Sequence, residues 1–411
     1  MTVAKGEQGG PPLTGVNILD FSWVVAGPQA TKLLGNMGAT VLKVEHTGRP
    51  DITRHYPPFP KSGPGINRSG TFAIYNDSKL SMTLNLRHPK AATVMERLLR
   101  WADVVVENFT PGTLEALGWP YERMRGIRQE IILIRASLMG QRGPFAHHPG
   151  FGIMLQAYGG HSALMRGRDG IPMGSSAPWT DFPEAAFVCL AALAALDHRR
   201  RTGRGICFDL SQLEASLFLM IPCIIHWAAQ ESPWPLRDNR HLTACPHGAY
   251  PCRGTDRWCL IGVFTESQWE SLKRVMGNPG WAEHERFSTA VSRKRNEAEL
   301  DGLISRWTRG RDADWIVEAL QAEGVPAGLV ASAQDLDRDP QLRHRGHYVV
   351  MDHSETGPVS HDAPPFRLTG TPHRISSPAP MMGEHTERVC REVLGFQQEE
   401  LSDLIKEGVL S

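Results

Sequence analysis

Residues 16–21 (VNILDF) form a short apolar run between a glycine and a polar turn, the pattern of a buried strand. Gly27-Pro28 then opens helical spacing over 30–37, closed by Gly38, because proline fits a first helical turn and glycine ends one. A second strand-like run, 40–45 (TVLKVE), completes a β-α-β unit. The alternation continues with a strand at 81–86, a helix at 89–101 and strands at 104–107 and 131–136. Strands alternating with helices predict a parallel sheet covered on both faces, with ligands beyond the carboxyl ends of its strands. The expected fold class is therefore α/β, with a Rossmann-like amino-terminal half.

Residues 185–200 (AAFVCLAALAALDHRR) predict a long buried helix that ends in basic residues and stops at Thr202-Gly203-Arg204-Gly205. A further helix is expected over 213–221. The longest apolar stretch, 215–229, falls short of the roughly 20 residues that span a bilayer and contains Pro222 and His226, so it too reads as a buried helix. Pro233, Pro235 and Pro246 interrupt any periodicity over 230–247, which reads as a linker. The expected layout is a large domain over 1–229, the linker at 230–247, a small α+β domain over 248–333, and a return over 334–411 that completes the large domain.

Composition narrows the function classes. The chain has 411 residues, 41% of them hydrophobic and 21% charged, which suits a globular protein. Lys plus Arg and Asp plus Glu both count 44, so the charge gives no footprint for nucleic acid or an anionic membrane, and neither partner is expected. Seven cysteines, all between Cys189 and Cys390, are an odd number in a chain too large to need disulfides, which points to a reduced, cytoplasmic setting. Residues 1–12 are polar and Gly-rich, unlike a secretion signal.

The sequence has no G-x-G-x-x-G, Walker loop, G-x-S-x-G, H-E-x-x-H or C-x-x-C, which removes the nicotinamide, nucleotide triphosphate and serine-hydrolase readings. His241, Cys245, His247, Cys252 and Cys259 are ligand types, but their spacing fits no common zinc site, and no metal is expected. What remains is a series of turns at strand ends. Asp20-Phe21, Ala26-Gly27-Pro28, residues 38–45 (GATVLKVE), Asp51 with Arg54, residues 102–112 (ADVVVENFTPG), Gly143-Pro144, Gln156-Ala157, Thr202-Gly203-Arg204-Gly205, residues 324–328 (GVPAG) and Gly383-Glu384-His385 occur in an order that closely resembles the class III (CaiB/BaiF) coenzyme A transferase family. The resemblance runs from about residue 15 to the last helix.

By that resemblance the catalytic carboxylate falls on Asp181, just before the Ala-rich helix. A nucleophilic carboxylate must be ionised and oriented, and the positive end of a helix dipole is expected to lower its pKa. The alternative is that Asp181 is only an N-cap ahead of Pro183. The family's cofactor contacts map onto Trp23, Val24, Val25 and Ala26, onto His46 and Lys79, and onto Asn108 and Phe109. Against this, Trp23 and Phe109 also read as core packing and Lys79 as a solvated lysine.

The resemblance implies a CoA transferase that uses an acyl-CoA and a free carboxylic acid, through aspartyl anhydride and aspartyl-CoA thioester intermediates, with no prosthetic group. It also implies an interlocked homodimer. Two alternatives stand beside it. One is an α-methylacyl-CoA racemase, whose His-Asp pair is replaced here by Phe151 and Gly152; the other is a non-catalytic CoA-binding subunit of a heteromeric transferase. Among acids, the stretch from Gly150 to Phe182 most resembles the branch using succinyl-CoA, with Arg142, Arg166 and Arg168 as candidate partners for a second carboxylate. A pocket for a bulky acid, lined by Trp179, Trp227 and Trp234, is the other reading.

Overall fold

The computed structural model describes residues 10–166, 170–175, 177–235 and 239–410. Their contacts divide into two compact units, one running to Pro233 and resuming at Arg343, the other Trp234–Leu342.

The first unit is built on a six-stranded sheet, β1 (Asn17–Asp20), β2 (Thr40–Glu45), β3 (Lys79–Thr83), β4 (Val104–Glu107), β5 (Ile132–Ser137) and β6 (Cys207–Ser211), ordered β3-β2-β1-β4-β5-β6. Every pairing is parallel. Successive strand residues face opposite sides of a sheet, and the apolar runs read from the sequence serve two cores at once. Leu19, Leu42, Val105 and Leu133 face a core shared with the helix Ala91–Trp101 and the carboxyl-terminal helix Gln398–Lys406. Ile18, Val41, Val104 and Ile132 face the other core, filled by the helices Ala26–Asn36 and Asp181–Thr202.

The first helix starts before Gly27-Pro28 rather than after it, with Pro28 inside its first turn, where a missing N–H leaves no bond unmade. Strand β6 lies outside the expectation: only Phe208 and Leu210 pack against the core, and an edge strand so sparsely apolar carries no clear period. The motif Gly383-Glu384-His385 closes the opposite edge. The His385 N–H donates to the Ser81 carbonyl at 2.9 Å, the Ser81 N–H donates to His385 Nδ1 at 3.2 Å, and the Gly383 N–H donates to Ser81 Oγ at 3.0 Å, so β3 presents no free edge there.

One expectation is reversed. The helix Ile221–Gln230 buries none of its residues, with Phe218 just before it 65% exposed and Ile225 61% exposed. The long helix Asp181–Thr202 likewise buries only one face, through Ala185, Val188, Ala192 and Ala195.

The second unit holds an antiparallel sheet, β7 (His247–Pro251), β8 (Trp258–Gly262) and β9 (Ala327–Leu329). Cys245, Cys252 and Cys259 are buried in its core with Trp269 and Phe287, which accounts for them as packing residues. The hairpin β10 (Tyr348–His353) and β11 (Gly357–Asp362) belongs to the first unit, where Lys32 Nζ meets Asp362 at 2.6 Å.

Candidate active site

A cleft of about 1570 Å³ opens beyond the carboxyl ends of β1, β2, β4 and β5, entirely within the first unit. The strand order reverses between β1 and β4, so the chain leaves these neighbours toward opposite sides and a crevice stays between them. Trp23, Val24, Val25 and Ala26 line it from the turn after β1, His46 from the end of β2, and Asn108 and Phe109 from the end of β4. The rings of Trp23 and Phe109 meet edge-on at 6.3 Å, so each packs against the other as well as lining the cleft.

The turn after β1 is held by side chains distant in sequence. The Trp23 N–H donates to Asn108 Oδ1 and Asn108 Nδ2 donates back to the Trp23 carbonyl, both at 2.8 Å. Val24 has a φ of 71°, a left-handed conformation unfavourable for a β-branched residue. Its N–H donates to Asp51 at 3.2 Å, and Asp51 is bound in turn by Lys43 at 3.0 Å. Lys43 Nζ also donates to the Ser22 carbonyl at 2.7 Å, and Arg54 pairs with Glu45 at 2.7 Å. Lys43, Glu45, Asp51 and Arg54, charged residues of the family pattern, are thus a buried scaffold beneath the cleft.

Lys79 requires a correction. It is 2% exposed and does not line the cleft. Its ammonium donates to Asp20 at 3.0 Å, to the Pro28 carbonyl at 2.9 Å and to Asn76 at 2.9 Å. Burial pulls its pKa down to about 8 against the attraction of Asp20. Burial also opposes the charge on Asp20, but Lys79, Lys43 and the hydroxyls of Ser22 and Thr31 overcome it and hold that carboxylate at about 2. Lys79 is an internal counter-ion, neither a solvated lysine nor a group free for a phosphate.

Asp181 sits at the floor of the cleft as the first residue of the helix Asp181–Thr202. The cap position belongs to Thr180, and no side-chain cap bond is made there, so Asp181 is not the N-cap. The Gln212 amide, at the end of β6, donates directly to Asp181 Oδ1. Gly152 lies against the same oxygen, so close that a β-carbon on it would stand 2.4 Å from Oδ1. Gln156 donates to Ser175 Oγ at 3.1 Å and to the Ala177 carbonyl at 2.8 Å, which fixes the loop leading to Asp181.

The carboxyl is 5% exposed, and that burial raises its pKa to about 6 while the Gln212 bond opposes the rise. The helix-dipole expectation of a lowered value is therefore reversed: desolvation of the charge outweighs the favourable helix end. One turn further on, Glu184 also lines the cleft and is buried, with its Oε1 unpartnered among the described residues. Burial, reinforced by the charge of Asp181, raises its pKa well above the usual carboxylate range.

Sequence reasoning did not identify Gln212, Glu184, Arg49 or Arg87 as site residues. Gln212 follows the unexpected strand β6, and placing that strand would have put it at a strand end. Arg49 and Arg87 are exposed residues lining the cleft, with no carboxylate partner among the described residues. The Arg49 guanidinium lies 5.1 Å from the centre of the Trp23 ring. Arg142 and Arg166 do not line the cleft, and Arg166 is taken up by the Ala163 and Gly170 carbonyls; Arg168 lies outside the described residues. Trp179 and Trp227 do not line it either, and Trp179 packs edge-on against His161 at 4.2 Å.

Known proteins resemble this chain over nearly its full length. Residues 13–386 match the family model of CoA-transferase family III. A probable CoA-transferase of Mycobacterium tuberculosis is 33% identical over 99% of the chain, which spans only 51% of that larger protein. A succinyl-CoA–D-citramalate CoA-transferase of Chloroflexus aurantiacus is 31% identical, with 97% of this chain and 98% of that one aligned. The crystal structure of a CaiB/BaiF family protein from Brucella suis superposes with a TM-score of 0.86 at 26% identity, covering 94% of this chain and all of the other. The sheet order, the cleft at its reversal and the buried aspartate thus occur in a chain that belongs to CoA-transferase family III, an enzyme of the CoA-transferase class.

Proposed function

We propose that the protein moves coenzyme A from an acyl-CoA, with succinyl-CoA the expected donor, to a free carboxylic acid, using Asp181 as a covalent nucleophile. The observation that carries this reading is the placement of Asp181: a buried carboxylate that caps no helix, held by a neutral amide and opening onto a cleft whose lining includes Arg49 and Arg87, neither of which has a carboxylate partner among the described residues. Those arginines suit the phosphates of a CoA thioester, and the aromatic wall of Trp23 and Phe109 suits its adenine or pantetheine portions. The Chloroflexus relative named for succinyl-CoA supports the choice of donor.

Asp181 attacks the thioester carbonyl, forming a C–O bond as the C–S bond breaks, and CoA leaves as thiolate. The thiolate then attacks the Asp181 carbonyl carbon, a C–S bond forms, and the donor acid departs as carboxylate. The acceptor carboxylate reverses both steps. Each attacking and leaving group is an anion, so no step needs a proton, which fits a nucleophile flanked by an amide rather than by a histidine. The racemase reading loses ground for the same reason: where such relatives carry an acid/base pair, Gly152 is packed on the nucleophile and Phe151 is half exposed.

The test is to incubate the protein with acyl-CoA and hydroxylamine and to look for a hydroxamate on Asp181 by peptide mass. A catalytically competent Asp181→Ala variant would refute the assignment. A screen of succinyl-CoA against acyl-CoAs lacking a second carboxylate decides the donor.

The same reading includes a homodimer. Residues Gln212–Gln230 are long and apolar enough for a membrane span, at mean hydropathy 1.3 and 17% buried. They are broken at Phe218–Met220, and Gln212 is bonded to Asp181, which ties the segment to the enzyme site. Exposed Phe218, Leu219, Ile224, Ile225 and Trp227 make an apolar surface of the kind monomers avoid, and a second copy of the chain is the proposed cover. Light scattering at micromolar concentration that gave a monomer mass would refute it.

A further inference from the structure

The two oxygens of Asp181 are held differently. Oδ1 receives the Gln212 Nε2 donor and rests against Gly152, while Oδ2 has no hydrogen-bond donor among the described residues. We propose that Gln212 is a catalytic residue, whose amide holds the Asp181 oxygen that becomes the carbonyl of the covalent intermediates and the oxyanion of the two tetrahedral steps that occur at the aspartyl carbon, leaving the other oxygen to attack. This rests on the nucleophile reading above and extends it.

The mount is suited to that work. Gln212 is 4% exposed, directly follows β6, and begins the helix Gln212–Leu217. Its neighbour Ser211 is paired in register with Ser137 of β5, so the backbone that carries the amide is part of the sheet. The amide also approaches Thr180 Oγ1 at 3.5 Å, and Thr180 Oγ1 donates to the Gly152 carbonyl at 3.1 Å. Gln212, Thr180 and Gly152 thus form one cradle around Oδ1, fixed before substrate arrives.

Chemistry favours an amide there. When CoA thiolate attacks the aspartyl anhydride, the C–S bond forms, the electrons of the carbonyl π bond move onto Oδ1, and they return as the bond to the departing carboxylate breaks. A fixed donor aimed at Oδ1 stabilises the charge at that moment without reorganising. An amide is neutral at every working pH and donates without giving up its proton. An ammonium or guanidinium would pair more tightly with the free carboxylate and weaken it as a nucleophile.

The experiment uses the full-length protein with Gln212→Met, which keeps the volume and removes the donor, and Gln212→Leu as a second variant. CoA affinity is measured by calorimetry and turnover at about pH 8, above the Asp181 titration. Expected are a kcat lower by roughly 100- to 1000-fold, the loss seen when an oxyanion donor is removed, with CoA affinity within about threefold of the parent. The acid limb of the rate profile should also move to higher pH, because the bond removed is the one that opposes the rise in the Asp181 pKa. The proposal is overturned if either variant binds CoA and keeps kcat within about threefold, or if lost turnover is fully explained by lost CoA binding. Asp181→Ala run in parallel separates the two readings: if it stays active, the nucleophile assignment itself fails, whereas its inactivity beside an active Gln212→Met sinks only the role of Gln212.

Discussion

Replacing Asp181 by Asn should abolish transfer and stabilise the unliganded protein. Burial raises the Asp181 pKa from 3.8 to about 6, so the fold holds the proton more tightly than the unfolded chain does. For an acid shifted upward, the destabilisation is absent below the unfolded value of 3.8, develops as pH rises, and is complete above about 6. A shift of about two units at 1.36 kcal/mol each is worth about 3 kcal/mol. Asn keeps an oxygen for Gln212 and carries no charge to desolvate, so the variant recovers most of that. Taking about 2.1 cal/mol/K per residue over roughly 300 residues, the gain corresponds to a Tm rise of about 5 °C. Calorimetric melts of the two proteins at about pH 8 and about pH 4 check both the size and the sign. A variant no more stable than the parent at the higher pH, or stabilised equally at both, would refute burial of the charge as the cause.

The same titration predicts that kcat/KM for acyl-CoA falls about tenfold per pH unit below about 6, and a flat profile down to about pH 5 would remove Asp181 from the chemistry. Gly152→Ala places a methyl 2.4 Å from Asp181 Oδ1 and 2.9 Å from Pro178 Cβ; overpacking of about 1–3 kcal/mol and a large loss of turnover are expected, read by melting and by rate. Arg49→Ala combined with Arg87→Ala should raise KM for acyl-CoA, weaken its salt dependence and spare kcat, whereas an unchanged KM would place the phosphates elsewhere. Lys79→Met strands the buried Asp20 carboxylate and should lower stability by about 3–5 kcal/mol without changing KM; the opposite pattern would make Lys79 a cofactor contact.

The amino-terminal β-α-β units were legible because a parallel strand buried on both faces is a continuous apolar run, as in 104–106, and no other element writes that pattern so compactly. Asp181 was legible only as a motif position; its neighbours in sequence give no reason to separate a cap from a nucleophile. In the structure Thr180 takes the cap position, and the contact that holds Asp181 comes from Gln212, whose approach depends on β6 adding to the sheet beside β5, a pairing that leaves almost no periodic trace in five residues of an edge strand. Lys79 illustrates the converse. A lysine ahead of a short strand looks solvent-facing, and only the buried position of Asp20 one strand further in, past β2, shows that its charge is used inside the protein. The exposed helix Ile221–Gln230 deceived for a different reason: an apolar run reads as buried, yet composition alone does not fix burial, and here none of its residues is buried.

The burial of Asp181 also bears on the energetics of the reaction proposed above. A free carboxylate at this site is destabilised by about 3 kcal/mol relative to water, but the anhydride and the thioester formed on it carry no charge on the aspartyl group and escape that penalty. Each covalent intermediate is therefore favoured over the free carboxylate by a factor on the order of 100 beyond what an exposed aspartate would give. The anhydride lies higher in free energy than the acyl-CoA thioester it forms from, so a nucleophile relaxed in water would leave that step further on the side of the free enzyme, whereas the enzyme thioester exchanges one thioester for another. Glu184, one turn away, is pushed by burial and by the charge of Asp181 toward its protonated form, the same direction as Asp181 itself. The instability that Asp181 brings to the resting fold thus narrows the energy gap that each half-reaction has to cross.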